Sequence, residues 1–209
     1  MQTCYLVGAS PSARRFEVQP EDFIIAADGG LNHLRRWGIQ PNFIVGDMDS
    51  IEGTLPRSVP VRAVPPDKDH TDMALALGEG YARGYRIFEM IGAAGGRPDH
   101  AMSNMQLLVK AARLGTFTFM RDSGFCVTAL VHSGELRLRG RGTVSVMACG
   151  EAQRVNLRGL KYPMEAGTLR DDSPLGISNE LDGDCLISME SGALFVYWED
   201  KGVEPLMNI

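Results

Sequence analysis

The chain lacks any apolar run approaching the ~20 residues that a membrane-spanning helix requires, so a water-soluble fold with no membrane partner is expected. Cysteine is scarce, four in 209 residues (Cys4, Cys126, Cys149, Cys185), widely spaced and with no C-x-x-C pair. That spacing excludes zinc fingers and a disulfide framework, and it predicts buried, reduced thiols in a cytoplasmic protein. The four histidines show no metal-ligand spacing. Positive charge is in deficit, 21 Lys+Arg against 26 Asp+Glu, and this argues against a general nucleic-acid binder. Neither a Walker A motif nor G-x-G-x-x-G is present. The opening residues, Met1 to Gly8, have no basic segment before their short apolar run, so they read as a first strand and not a signal peptide.

What is present is alternation. Tyr5 to Val7, Phe23 to Ala27, Phe43 to Val45, Val61 to Val64, Arg86 to Ile91 and Thr116 to Met120 are short apolar runs that read as strands. Between them lie segments with helical spacing. One runs from Leu31 to Trp37 and is stopped by Gly38. Another opens at Thr71 as N-cap, with Asp72 in its first turn, and ends at Gly84. A third starts at Pro98 and carries Met102, Met105, Leu108, Val109, Ala112 and Leu114. Strands apolar on both faces, alternating with helices, predict an α/β domain with a Rossmann-like, mostly parallel sheet over residues 1–132. After that the texture changes to strict alternation, as in Glu135 to Arg139, with no helical pattern. Cys185 to Met189 and Ala193 to Trp198, flanking Glu190-Ser191-Gly192, read as a β-hairpin. A small C-terminal antiparallel β-sandwich is expected over 133–209.

Acidic residues mark the ends of the early strands. Asp28 follows one apolar run beside Gly29 and Gly30, and Asp47 and Asp49 follow another at Gly46. Two residues apart in extended backbone, Asp47 and Asp49 are expected to point the same way. With Asp72 they form a candidate metal set of four carboxylates at the carboxyl edge of the sheet, where open α/β folds bind ligands, and such a set suits Mg2+ on a polyphosphate. Any one of these acids alone reads equally as a cap on a turn or helix. A second constellation, Gly92 to His100, combines glycines that permit close approach, a helix N-terminus and the guanidinium of Arg97. Lys68 is read either as a phosphate-neutralising cation or as a solvated loop lysine. His100 is read as a substrate contact or a packing residue. Gly8 to Ser10 and Asp122-Ser123, which follow strands, are candidate adenine contacts.

Taken in order, Asp28-Gly29-Gly30, Gly46-Asp47-Met48-Asp49-Ser50-Ile51, Asp69-His70-Thr71-Asp72, Gly95-Gly96-Arg97-Pro98-Asp99-His100, Gly159-Leu160-Lys161-Tyr162 and Ile177-Ser178-Asn179-Glu180 resemble the thiamine pyrophosphokinase family across nearly the whole chain. The resemblance implies Mg2+-dependent transfer of pyrophosphate from ATP to the thiamine hydroxyl, giving thiamine diphosphate and AMP. It implies an α/β nucleotide-binding catalytic domain, a C-terminal thiamine-binding β-sandwich and a homodimer with the vitamin site between subunits. By position it makes Asp47, Asp49 and Asp72 the Mg2+ ligands, with Asp28 in support. Arg97 and Asp99 would hold the polyphosphate, and Ser178 and Asn179 the vitamin. Trp198 and Tyr162 are the rings available to stack on it. Two other readings compete: Asp47-Met48-Asp49 as the D-x-D motif of a nucleotide-sugar glycosyltransferase, and a non-catalytic nucleotide or vitamin sensor.

Overall fold

The computed structural model describes residues 2–206, and Met1 and residues 207–209, the outer ends of the two expected domains, lie outside the described residues. The chain divides into two compact units, Met1–Ser123 and Gly124–Ile209. The expectation set the boundary at 132/133. The stretch between the two divisions is a strand that belongs with the second unit by its pairing.

In the first unit, β1 (Cys4–Val7), β2 (Phe23–Ala27), α1 (Gly30–Trp37), β3 (Phe43–Gly46), β4 (Val61–Ala63), α2 (Asp72–Ala82), β5 (Ile87–Ile91), α3 (Pro98–Arg113) and β6 (Phe117–Asp122) follow one another. The strands pair in the order β4-β3-β2-β1-β5-β6, and every pair is parallel. Leu6 lies level with Ile25 on one side and Met90 on the other, all three fully buried. Such layers explain why these strands read as continuous apolar runs: the sheet is covered on both faces. Local chemistry sets the helix ends. The Thr71 hydroxyl accepts from Ala74 N at 3.2 Å to open α2, and Pro98 sits in the first turn of α3. Gly38, at φ 69°, closes α1 in the left-handed conformation.

The buried face of α3 differs from the sequence reading. Asn104, Leu107, Leu108 and Ala111 are buried, whereas Met102 is 70% exposed and Leu114 41%. Leu108 and Val109 are buried as expected, and Asn104, a polar residue, joins them on the inward face, where it is hydrogen-bonded.

Chain order reverses between β1 and β5, since β2 to β4 extend one way from β1 and β5 and β6 the other. In open α/β sheets the crevice at the carboxyl ends of such a strand pair is where ligands bind. Here the two strand ends are drawn together by Gly8 N donating to Ile91 O at 2.8 Å and Ser10 N to Gly92 O at 3.1 Å. A Cβ on Gly92 would lie 2.5 Å from Gly8 O, so the approach requires glycine.

The second unit comprises β7 (Phe125–Val131), β8 (Glu135–Ala148), β9 (Glu151–Leu160), β10 (Met164–Arg170), β11 (Asn179–Ser188), β12 (Ala193–Glu199) and β13 (Val203–Pro205). Its neighbours are antiparallel throughout, in the order β10-β9-β11-β8-β12-β7, with β13 also on β8. The expected hairpin between Cys185–Met189 and Ala193–Trp198 does not form. β8 lies between them, pairing Cys185 with Leu138 and Val196 with Val146. Long β8 offers both of its edges, so the short 190–192 turn crosses over a strand instead of closing a two-stranded ribbon. Among the described residues no helix is long and apolar enough to cross a membrane. Cys4, Cys126 and Cys185 are buried thiols in no disulfide, but Cys149, expected inside, is exposed.

Two glycines with similar backbones separate steric from conformational cost. Gly92 (φ 66°) is crowded, whereas Gly115 (φ 73°) has nothing within 4 Å of a built Cβ. Gly115→Ala is expected to cost about 1 kcal/mol and Gly92→Ala at least about 1–2 kcal/mol more in urea denaturation. Equal losses would mean that the β1–β5 approach is slack.

Candidate functional site

A cleft of about 680 Å³ opens at the carboxyl ends of β1, β2, β3 and β5. The residues proposed from sequence that line it include the ionisable Asp28, Asp47, Lys68, Asp72, Arg97 and His100, together with Gly8 to Ser10, one of the two candidate adenine stretches. They come from different strand ends and helix starts, which is why no contiguous motif announces them.

Asp28 ends β2 in the left-handed region at φ 44°, a conformation aspartate tolerates. Its amide donates to Val45 O at 2.8 Å, tying it to β3. A side chain at Gly46 would meet the Asp28 Cβ at 2.8 Å, so the glycine makes room for this acid. Asp28 is 9% exposed, and its buried Oδ1 has no hydrogen-bond partner. One carboxylate oxygen each from Asp28, Asp47 and Asp72 lie within 4.8 Å of one another.

Lys68 answers this charge. Its Nζ lies 2.9 Å from Asp72 Oδ1 and 3.3 Å from Asp47 Oδ2, with only 15% of the lysine side chain exposed. The burial penalty on Lys68 is overcome by its bonds to the two aspartates, which hold its pKa above the ordinary value. Asp47 is likewise penalised by burial, but the Asp49 amide and Lys68 outweigh that, and its pKa is lowered. For Asp72 burial wins over Lys68, helped by the like charges of Asp47 and Asp28, and its pKa is raised. One internal cation therefore faces three acids without fully satisfying them.

Asp49 is not in this group. β3 ends at Gly46 and Met48 stands at φ 70°, so the chain leaves the extended form between the two acids and the alternation rule no longer applies. Asp49 is exposed, accepts from the Ser50 hydroxyl at 2.8 Å, and gives its own amide to Asp47 Oδ1 at 3.4 Å.

Arg97 precedes α3 and forks onto Asp99 through two bonds of 3.2 and 2.6 Å. Both side chains are exposed, at 70% and 63%, so the pair adds little stability and is easily exchanged for another anion. Arg97 nevertheless holds the Asp99 carboxyl down at about 2. Asp122, a candidate adenine contact, is 1% exposed and lies outside the lining of the cleft. Its Oδ2 accepts from Ala93 N and Ala94 N, both at 2.8 Å, so it is engaged with the chain itself.

In the second unit, Ser178 is exposed at φ 58° and its amide donates to Ser145 Oγ at 3.0 Å. Asn179 is 3% exposed. Its amide brackets Tyr162, accepting from Tyr162 N at 2.9 Å and donating to Tyr162 O at 2.7 Å. Of the two candidate rings, Trp198 is core at 1% exposure, whereas Tyr162 is 58% exposed.

Sequence reading passed over Asn32 and Asn104. Asn32 Nδ2 donates to Ser50 O at 2.8 Å and its Oδ1 accepts from Glu52 N at 2.9 Å, fixing the loop after Asp47. Asn104 Nδ2 donates to Ala93 O at 2.7 Å. For Asn104 the available signal was an asparagine in helical register with Leu107 and Leu108, whereas Asn32, in register with Arg35 and Arg36, carried none.

Models of two domains match the chain: the thiamin pyrophosphokinase catalytic domain over residues 17–119 and the thiamin pyrophosphokinase vitamin B1 binding domain over residues 135–194. The thiamine pyrophosphokinase of Bacillus subtilis (strain 168) is 30% identical over 167 residues, covering 75% of this chain and 77% of its own. The crystal structure of thiamine pyrophosphokinase from Bacillus subtilis superposes with a TM-score of 0.86 at 24% identity, covering 96% of this chain and 100% of that one. That of Geobacillus thermodenitrificans gives 0.83 at 26%, with 94% and 97% covered.

Replacing the internal cation tests the electrostatics directly. Lys68→Met is expected to lower Tm by about 2–8 °C in chelator, the loss of about 1–2 kcal/mol. Added Mg2+ should then raise the Tm of the variant more than that of the wild type, because the ion takes over neutralisation. Equal Mg2+-induced shifts would show that Lys68 does not stand in for an ion.

Proposed function

The chain belongs to the thiamin pyrophosphokinase family, and from that premise we propose that it transfers pyrophosphate from Mg2+-bound ATP to the hydroxyl of thiamine, releasing AMP and thiamine diphosphate. The observation that carries the Mg2+ part is the close group of Asp28, Asp47 and Asp72 oxygens. All its donors are oxygen, and one is a buried oxygen with no hydrogen-bond partner, a set that fits this ion. Asp47 and Asp72 hold Mg2+, Asp49 adds its carboxylate from the loop after Asp47, and Asp28 supports the ion or the phosphates beside it. When bound, Mg2+ offsets charge that develops toward AMP.

The chain's own residues do the positioning. Arg97 turns its fork from Asp99 to phosphate oxygens, and Lys68 neutralises phosphate once the aspartates have another cation. Asp99 orients Arg97, and His100 borders the nucleotide. The thiamine oxygen then attacks the β-phosphorus, the bond from that phosphorus to the α-phosphate oxygen breaks, and the hydroxyl proton passes to one of the site carboxylates. Alignment of the two substrates supplies most of the rate.

Nucleotide binding and catalysis are assigned to the first unit and thiamine binding, in a β-sandwich, to the second, the expected bounds 1–132 and 133–209 being shifted so that β7 goes with the second. Ser178 and Asn179 shape the vitamin pocket, and Tyr162, held by Asn179, offers its ring. The working form is a homodimer in which this pocket faces the nucleotide of the partner subunit. The exposed Tyr162, Leu175 and Ile177, close in sequence to Asn179 or bonded to it, support such an interface. Cysteines in no disulfide support a cytoplasmic setting. The glycosyltransferase alternative is disfavoured because both domain models that match the chain are those of thiamin pyrophosphokinases.

AMP formation from ATP, Mg2+ and thiamine is the deciding assay, and its absence with folded protein overturns the reading. Asp47→Asn and Asp49→Asn should each cut kcat by about 100-fold or more while leaving the unfolding midpoint nearly unchanged. Wild-type turnover of Asp49→Asn at saturating Mg2+ would remove Asp49 from the ion's ligands. Mixing Asp47→Asn with Asn179→Ala chains should restore part of the activity through one intact composite site. No recovery in demonstrated heterodimers would refute the shared pocket.

A further inference from the structure

We propose that Asp122 and Asn104 are positioning residues that lock the loop between β5 and α3 into the shape that receives the nucleotide, and that they govern nucleotide affinity and not vitamin affinity. The inference rests on the proposed ATP-dependent reaction. Its evidence is a three-bond clamp on one residue and its neighbour. The Asp122 carboxylate, at the end of β6, accepts from Ala93 N and Ala94 N at 2.8 Å each. The Asn104 amide, from α3, donates to Ala93 O at 2.7 Å. Ala93 is thus held at both its N–H and its C=O by side chains from two different elements. All three residues are buried, Asp122 at 1% exposure, Asn104 at 6% and Ala93 at 3%.

The loop needs such a clamp. Gly92, Gly95 and Gly96 give it many accessible conformations, and an unconstrained loop would have to be ordered again each time a nucleotide bound. The Ala93 N–H lies in the interior, so without the carboxylate it would be a buried donor with no partner. By taking the Ala93 and Ala94 N–H groups inward, Asp122 fixes the chain direction from which Gly95, Gly96 and Arg97 line the cleft. Asp122 itself is absent from that lining, so it acts through the loop and touches no substrate. The remaining acceptor, Asp122 Oδ1, is buried without a partner, which marks a carboxylate retained for its double acceptance at Oδ2 and not for a saturated network.

The test compares Asp122→Ala, Asp122→Asn and Asn104→Ala by three readouts. These are Mg2+–ATP affinity by calorimetry without thiamine, KM for each substrate with kcat, and hydrogen exchange at the Ala93 and Ala94 amides. Asp122→Ala should weaken Mg2+–ATP binding and raise its KM by about tenfold, with thiamine KM unchanged and both amides exchanging faster. Asp122→Asn keeps one oxygen able to accept both N–H groups and should stay within about threefold of wild type. Asn104→Ala removes the carbonyl bond and also trims the cleft wall that Asn104 lines, so it should raise ATP KM by less than Asp122→Ala while speeding exchange at the Ala93 and Ala94 amides. It decides the matter if Asp122→Ala does not fold. ATP affinity and amide exchange at the wild-type values in Asp122→Ala, or in Asn104→Ala where the former does not fold, or equal rises in the KM of both substrates, overturn the proposal. A wild-type protein that forms no AMP defeats the reaction instead, and the amide exchange still judges the clamp.

Discussion

Three carboxylates brought within one ion's reach repel one another, and the first unit is arranged around that repulsion. Asp28 is admitted by a left-handed backbone and by the absence of a side chain at Gly46. Asp72 is admitted because Thr71 starts α2 at the cleft rim. Their separate origins let each be held rigidly by its own element, at a distance the side chains alone would not choose. The unliganded answer to the charge is Lys68, yet burial and the neighbouring acids still hold the Asp72 pKa up although the ammonium lies 2.9 Å from its carboxylate. A site left in this condition favours any added cation that reaches the oxygens it serves poorly.

Loops in each unit are held by a recurring device. Asn32 spans Ser50 and Glu52, Asn104 holds Ala93, and Asn179 spans both polar atoms of the Tyr162 backbone. An amide side chain both donates and accepts, so one residue can pair with a loop as a neighbouring strand would, where no strand is present. Loops carrying function are usually the mobile parts of a domain. Here each is attached to a helix or strand through a nearly buried asparagine, and in the first unit Asn32 and Asn104 thereby keep the rim of the cleft in one shape.

These features were unequally legible in the sequence. Parallel strands buried on both faces print themselves as apolar runs, so β1, β2, β3, β5 and β6 were visible, as was the cap at Thr71. Asp28, Asp47 and Asp72 were legible because each follows a strand or opens a helix. The divergence of Asp49 was not, since a left-handed Met48 has no signature in a residue type that ordinarily avoids that conformation. Strand pairing in the second unit was hidden for another reason: a short turn implies that its flanks are adjacent, and only the long-range placement of β8 separates β11 from β12. The burial of Asp122 also depended on tertiary structure, because an acid after a strand looks the same whether it serves a ligand or a loop.

Charge in the cleft is organised by exchangeable pairs. Lys68 is satisfied by Asp47 and Asp72, and Arg97 by Asp99, so the unliganded protein carries its cations already matched. In the proposed reaction each partner changes hands: carboxylates pass to Mg2+, and the ammonium and guanidinium pass to phosphates. Neither cation is stranded before or after the exchange, and the negative charge that Lys68 leaves unmatched is what the ion relieves. The two pairs differ in burial, and that difference sets an order. The exposed Arg97–Asp99 pair opens at little cost, whereas Lys68, 15% exposed between two acids, leaves only when another cation arrives. Nucleotide and ion are therefore expected to enter together, since the phosphates offer Lys68 a destination and the ion relieves the aspartates it leaves.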